Sequence, residues 1–183
     1  LLSDLSPVFT REPGSTWVGD QVRRAVAEKA DPITEALLFA ADHAAHLSTL
    51  VRPSLERGLL VISDRYSDSR YAYQQETLKG YIDDPLAWLR ALHAGWTVCP
   101  DLTFLIVLPV DEALSRIKEK QNREHFENHR LLEKVQDQYL ALAKSDPSRF
   151  VLVDGTKDEG EIAGFVAGVI RDAFGRSRSH RRP

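Results

Sequence analysis

Methionine is missing from the sequence altogether, and cysteine occurs once, as Cys99. A lone thiol makes no internal disulfide, which excludes a disulfide-stapled fold and points to a reducing compartment, so a cytoplasmic protein is expected. Because position 1 is Leu rather than Met, a segment upstream of it is also expected. No stretch approaches the ~18 consecutive apolar residues of a membrane span, and no basic segment leads into an apolar one at the start. Neither a transmembrane helix nor a signal peptide is therefore expected. Positive charge is short as well: 24 Lys and Arg against 27 Asp and Glu give a net charge of −3. That balance argues against a broad basic surface for nucleic acid, so any anionic ligand must be held locally. Arg176, Arg178, Arg181 and Arg182 all lie in residues 175–183, and removing these four charges from −3 leaves the body at −7. The segment reads as a disordered basic tail.

The 183 residues are 43% hydrophobic, enough for one core, so residues 1–174 are expected to form a single domain. Apolar runs at 8–10, 59–63, 102–108 and 150–153 read as strands. Their near-continuous Val, Ile and Leu content fits strands buried on both faces, hence an α/β fold with a parallel sheet covered by helices on both faces. Helical spacing covers 16–30, 34–57, 84–94, 111–120, 127–143 and 158–174. Thr34 is the expected cap of the second, Pro85 suits the first turn of the third, and Gly58 ends the second.

Thr10-Arg11-Glu12-Pro13-Gly14-Ser15-Thr16 joins a strand to a helix. Taken alone it reads as a turn, with Pro13 fixing one dihedral and Gly14 permitting a positive φ. Ligands of open α/β sheets, however, bind at the carboxyl ends of strands, where Arg11 and Glu12 stand. Ser63-Asp64-Arg65-Tyr66-Ser67-Asp68-Ser69-Arg70 leaves a second strand. Arg65 and Arg70 beside hydroxyls at a helix start predict a cationic pocket for phosphate, since guanidinium grips phosphate oxygens bidentately. Phe39, His43, His46 and Leu50 share one helical stripe, which reads as core; a metal reading of the two histidines has no third ligand nearby. His125 and His129 lack the His-Glu-x-x-His order and read as solvated helix. The charged stretch from Lys118 through Arg123 to Glu127 reads as a solvated face or, in a phosphoryl-transfer enzyme, a lid over ATP at about 118–127.

Five collinear segments carry a resemblance: Thr10-Arg11-Glu12-Pro13-Gly14, Leu37-Leu38-Phe39-Ala40-Ala41, Ser63-Asp64-Arg65-Tyr66 with Ala72-Tyr73-Gln74, Pro100-Asp101-Leu102-Thr103, and Arg123-Glu124-His125-Phe126-Glu127. Together they resemble the thymidylate kinase family of P-loop nucleoside monophosphate kinases. The resemblance implies transfer of the γ-phosphoryl group of ATP to dTMP, with Mg²⁺ accompanying ATP, by a cytoplasmic homodimer that pairs through helices such as 34–57. It implies that Arg65 and Arg23 hold the acceptor phosphate and that Asp64 faces the magnesium shell through water. Glu12 would line the acceptor site, Phe39 would stack on thymine, and Tyr73 and Gln74 would contact sugar and base. Arg123 would belong to the lid, with Glu127 at its acceptor end.

The sequence departs from the family in several places. It lacks the Gly-x-x-x-x-Gly-Lys-Ser/Thr loop that cradles the triphosphate. About twenty upstream residues carrying that loop and a central first strand are expected outside this sequence, with residues 1–5 ending the helix after it. Without that strand two others would face each other unpaired. His43 stands where the family has an arginine directed at the thymine ring, Arg70 replaces a small polar residue, and Ser15 replaces a glycine. Two alternatives stay open: a kinase for another nucleotide, and a non-catalytic nucleotide-binding protein without the loop.

Overall fold

The computed structural model describes residues 1–119 and 129–179. Four strands are present: β1 (Val8–Arg11), β2 (Val61–Asp64), β3 (Thr103–Val107) and β4 (Phe150–Asp154). β1 pairs with β2 in parallel, Arg11 standing opposite Asp64, and β3 pairs with β4 in parallel. The strands are parallel, as expected from sequence, and stand as two pairs with no ladder joining them among the described residues.

The helices are α1 (Trp17–Glu28), α2 (Pro32–His46), α3 (Arg52–Glu56), α4 (Ser67–Thr77), α5 (Pro85–His93), α6 (Val110–Glu119), α7 (His129–Ser145) and α8 (Glu159–Ser179). Thr16 caps α1, its hydroxyl accepting from the Gly19 amide at 3.1 Å. Asp31, not Thr34, caps the second helix: its carboxylate accepts from the amides of Ile33 and Thr34, and Pro32 occupies the first turn. The single helix expected over 34–57 is interrupted by a widened π turn, Leu47–Val51, before α3. Pro53 supplies the reason, because it has no N–H for the Thr49 carbonyl and the preceding turn must absorb the lost bond. The last helix reaches Ser179, so residues 175–179, expected in the disordered tail, are helical. Near the amino end, Ser3–Leu5 forms a 3-10 turn rather than the end of an α-helix.

Only the start of helix α4, at the hydroxyls beside Arg65 and Arg70, was anticipated and not its extent, since its polar sequence offers no apolar stripe, yet it is the centre of the described structure. It packs against α2, α5 and α7. Ala72 on one side joins Val135, Leu142, Ala143 and Phe150, while Tyr71 reaches the second cluster of Ala36, Leu78 and Leu89. Its first turn is tied to the β3–β4 pair by Asp68, which accepts a two-pronged contact from Arg149 at 2.6 and 3.0 Å and a hydroxyl bond from Thr103 at 3.0 Å. The Arg149 guanidinium also lies over the Phe150 ring at 4.4 Å.

Asp68 is almost fully buried and Arg149 mostly so, so removing one partner strands the other charge. Arg149→Ala is expected to lower unfolding free energy by about 3 kcal/mol. Denaturant unfolding checks this, and a loss under about 1 kcal/mol contradicts it.

Candidate active site

The carboxyl ends of β1 and β2 lie side by side, and the Glu12 amide donates to the Asp64 carbonyl at 3.1 Å. From β1 the chain turns through Pro13 and Gly14 into α1. Gly14 is not at positive φ, contrary to the expectation; a close approach is what requires it. Its amide donates to buried Asp42 of α2 at 2.8 Å, and a Cβ there would stand 3.2 Å from an Asp42 carboxylate oxygen. Gly19 is held tighter still, since its Cβ would meet the Gly14 carbonyl at 2.1 Å. Arg23 closes over the same turn, donating to the Gly14 carbonyl at 3.1 Å and to Asp20 at 2.7 Å.

Glu12 itself is 4% exposed and sits among three donors. Nδ1 of His43 and Nδ1 of His46 donate to its Oε1 at 2.7 and 2.8 Å, and Arg70 from α4 donates to Oε2. Burial opposes ionisation of this carboxyl, but the two imidazole bonds and the Arg70 charge outweigh it and hold Glu12 far below the usual carboxylate range. An ionised carboxylate only accepts, so both imidazoles must carry their proton on Nδ1. Their Nε2 atoms then accept from the hydroxyls of Thr97 at 3.3 Å and Thr10 at 2.8 Å. His93 of α5 follows the same pattern: Nδ1 donates to the Leu89 carbonyl at 2.7 Å, and Nε2 accepts from Arg70 Nε at 3.0 Å. Burial, with the Arg70 charge alongside, pushes His93 down to about 4. Burial likewise lowers His43, more than the Glu12 bond raises it. Tyr66 meets the His43 ring edge-on at 4.7 Å, and Trp96 stacks on His93 at 5.3 Å.

These shifts have a consequence for stability. A histidine with a depressed folded pKa is neutral in the fold but takes a proton in the unfolded chain below about 6.5. The unfolded state therefore binds more protons in that range, and stability is expected to fall steadily as pH drops from about 6.5 toward 4. Glu12 stays ionised throughout that window, and its own contribution is lost only at still lower pH. Midpoints of urea unfolding between pH 4 and 7 check the sign; a midpoint that rises on acidification contradicts it.

Arg65 stands apart from this buried cluster. It is exposed at the end of β2, with φ of 63°, a left-handed conformation uncommon for a residue with a side chain. The Ser63 hydroxyl donates to its carbonyl at 2.7 Å, and its guanidinium lies over the Tyr73 ring at 5.3 Å. Asp64 beside it is exposed, Gln74 is buried, and Phe39 is half-buried one helical turn before His43.

Glu12, His43 and Arg70 are therefore brought into direct contact, and Arg65 meets Tyr73. Of the two arginines expected in one phosphate pocket, Arg70 turns inward to pair with Glu12 and His93, while Arg65 is exposed at the strand end. Arg123 and Glu127, with most of the 118–127 lid, lie outside the described residues. The sequence reading missed His93, Thr97, Trp96 and Asp42; a carboxylate and two imidazoles inside the apolar run of α2 were the available signal.

The sequence profile described as Thymidylate kinase matches residues 3–164. A protein called probable thymidylate kinase from Methanoculleus marisnigri is 60% identical over the whole of this chain and 88% of its own length. One of the same description from Methanospirillum hungatei is 55% identical over 94% of this chain and 84% of its own. The crystal structure of thymidylate kinase from Ehrlichia chaffeensis superposes with a TM-score of 0.61 at 29% identity, covering 80% of this chain and 73% of that one. With the strand-end cluster in place and these likenesses beside it, the chain belongs to the thymidylate kinase family.

Proposed function

We propose that this protein transfers the γ-phosphoryl group of ATP to dTMP, yielding dTDP and ADP. The observation that carries the reading is Arg65, an exposed cation fixed in a left-handed conformation at a strand's carboxyl end, beside Asp64 and against Tyr73. Phosphoryl transfer asks for positioning and charge neutralisation rather than a covalent nucleophile, and a guanidinium held in place this way supplies both. Arg65 binds the acceptor phosphate and stabilises the group in transit. Arg23, anchored over the Pro13–Gly14 turn, supplies a second cation to that phosphate. Phe39 stacks on the base, Tyr73 and Gln74 contact sugar and base, and Arg123 and Glu127 belong to the lid.

The exposed carboxylate of Asp64 is a hard oxygen donor, which suits the water shell of Mg²⁺. When bound with ATP, Mg²⁺ neutralises phosphate charge; the chain's own part is to orient that shell from Asp64. No helix among the described residues is long and apolar enough to cross a membrane, and we assign the enzyme to the cytoplasm. A homodimer is supported by the outer face of α2, where Leu37, Ala41 and Ala44 are exposed at helical spacing, continued by Ser48 in the π turn.

A coupled ADP-release assay on the full-length protein tests the reading, with dTMP, dUMP, UMP and dGMP as acceptors. dTMP is expected to give the highest kcat/KM. If dTMP is no better than the others, the substrate assignment fails and a kinase for another nucleotide takes its place. If none releases ADP, the kinase reading fails, and dTMP binding by the same protein would then mark a nucleotide-binding protein without catalysis.

A further inference from the structure

One donor in the buried cluster has no partner. Arg70 is 2% exposed; its Nε donates to His93 and its Nη1 to Glu12, while Nη2 is buried and makes no hydrogen bond. Its neighbours are otherwise satisfied: Glu12 has three donors, and His43, His46 and His93 each have both ring nitrogens engaged. An unmade bond on a buried guanidinium is costly, so this site is built for an acceptor that arrives from outside.

The surroundings say what kind of acceptor. Arg70 already neutralises Glu12, which stays ionised. A phosphate drawn to Nη2 would set its negative charges close to that carboxylate in a buried, weakly screened setting. A neutral carbonyl oxygen takes the bond without that repulsion. An exocyclic amino group in the same place would set donor against donor. The rings of Tyr66 and Trp96 pack against His43, which shares Glu12 with Arg70, so aromatic surface lies close to the guanidinium.

We propose that Arg70 reads a ring carbonyl of the acceptor nucleotide's pyrimidine through Nη2, and that Glu12 and His93 are positioning residues that fix its guanidinium. This rests on the kinase reading above, and it moves Arg70 from the phosphate to the base.

Calorimetric titration of the full-length protein tests it with thymidine, dTMP, 5-methyl-dCMP, in which an amino group replaces one carbonyl, and 2-thio-dTMP, in which sulfur replaces the other. The wild-type protein is expected to bind dTMP about 10- to 100-fold more tightly than one of the two altered nucleotides, the range for a hydrogen bond to a charged group. Arg70→Lys keeps a cation for Glu12 but lacks the second branch of the fork. It is expected to shrink that preference to about threefold or less and to weaken thymidine and dTMP by the same factor. A folded Arg70→Lys protein with the preference intact overturns the inference and leaves the kinase reading standing. So does a variant weakened toward dTMP but not toward thymidine, which would return Arg70 to the phosphate. Equal wild-type affinity for all three nucleotides overturns it without any variant. A wild-type protein that binds neither dTMP nor thymidine overturns both readings.

Discussion

Arg65→Ala is expected to cut turnover of dTMP by about a thousandfold, the lower end of what an arginine on a transferring phosphoryl group contributes. Unfolding free energy should change by no more than about 0.5 kcal/mol, because the side chain is exposed, with its guanidinium over the Tyr73 ring. The backbone sharpens the argument. At φ of 63° a glycine would be at ease, whereas any residue with a Cβ pays for the conformation. The turn itself therefore does not call for an arginine. Arg65→Gly should be at least as stable as the parent and as inactive as the alanine variant. Steady-state kinetics with a thermal melt on the same preparations checks both, and near-normal turnover in either variant contradicts the role.

Glu12→Ala carries the largest expected effect on stability, a loss of about 3–5 kcal/mol, because it leaves the Arg70 charge buried without its carboxylate and two imidazole N–H groups without an acceptor. The effect is expected to be strongly non-additive with Arg70. Adding Arg70→Leu to Glu12→Ala should recover part of the loss, since removing both charges removes the uncompensated one. Urea unfolding of the two single variants and the double checks this; additive losses would mean that the pair is not coupled.

How far the sequence could be read follows from where each signal lies. The strands were legible because β1 to β4 are short runs of apolar residues bounded by turns, and their ends came within two residues of the observed ones. Glu12, Arg65 and their neighbours were legible as strand-end residues. The length and burial of helix α4 were not, since Ser67, Asp68, Arg70, Gln74 and Gln75 are polar yet buried, which inverts the pattern by which a core helix is recognised. The inward turn of Arg70 was hidden for a related reason. Its partners Glu12 and His93 are 58 and 23 residues away, and only packing of α4 between α2 and α5 brings them together. Likewise, spacing alone put His43 and His46 on one stripe, but the carboxylate they share is that of Glu12, just after β1.

A crystal structure with dTMP bound tests the central claim most directly. The phosphate is expected against the Arg65 guanidinium at the carboxyl end of β2, with a ring carbonyl of the thymine within hydrogen-bond distance of Arg70 Nη2. A nucleotide seated instead in the groove between α6 and α7, among His129, Arg130, Glu133 and Lys134, or one reversed so that its phosphate meets Arg70, would contradict the account.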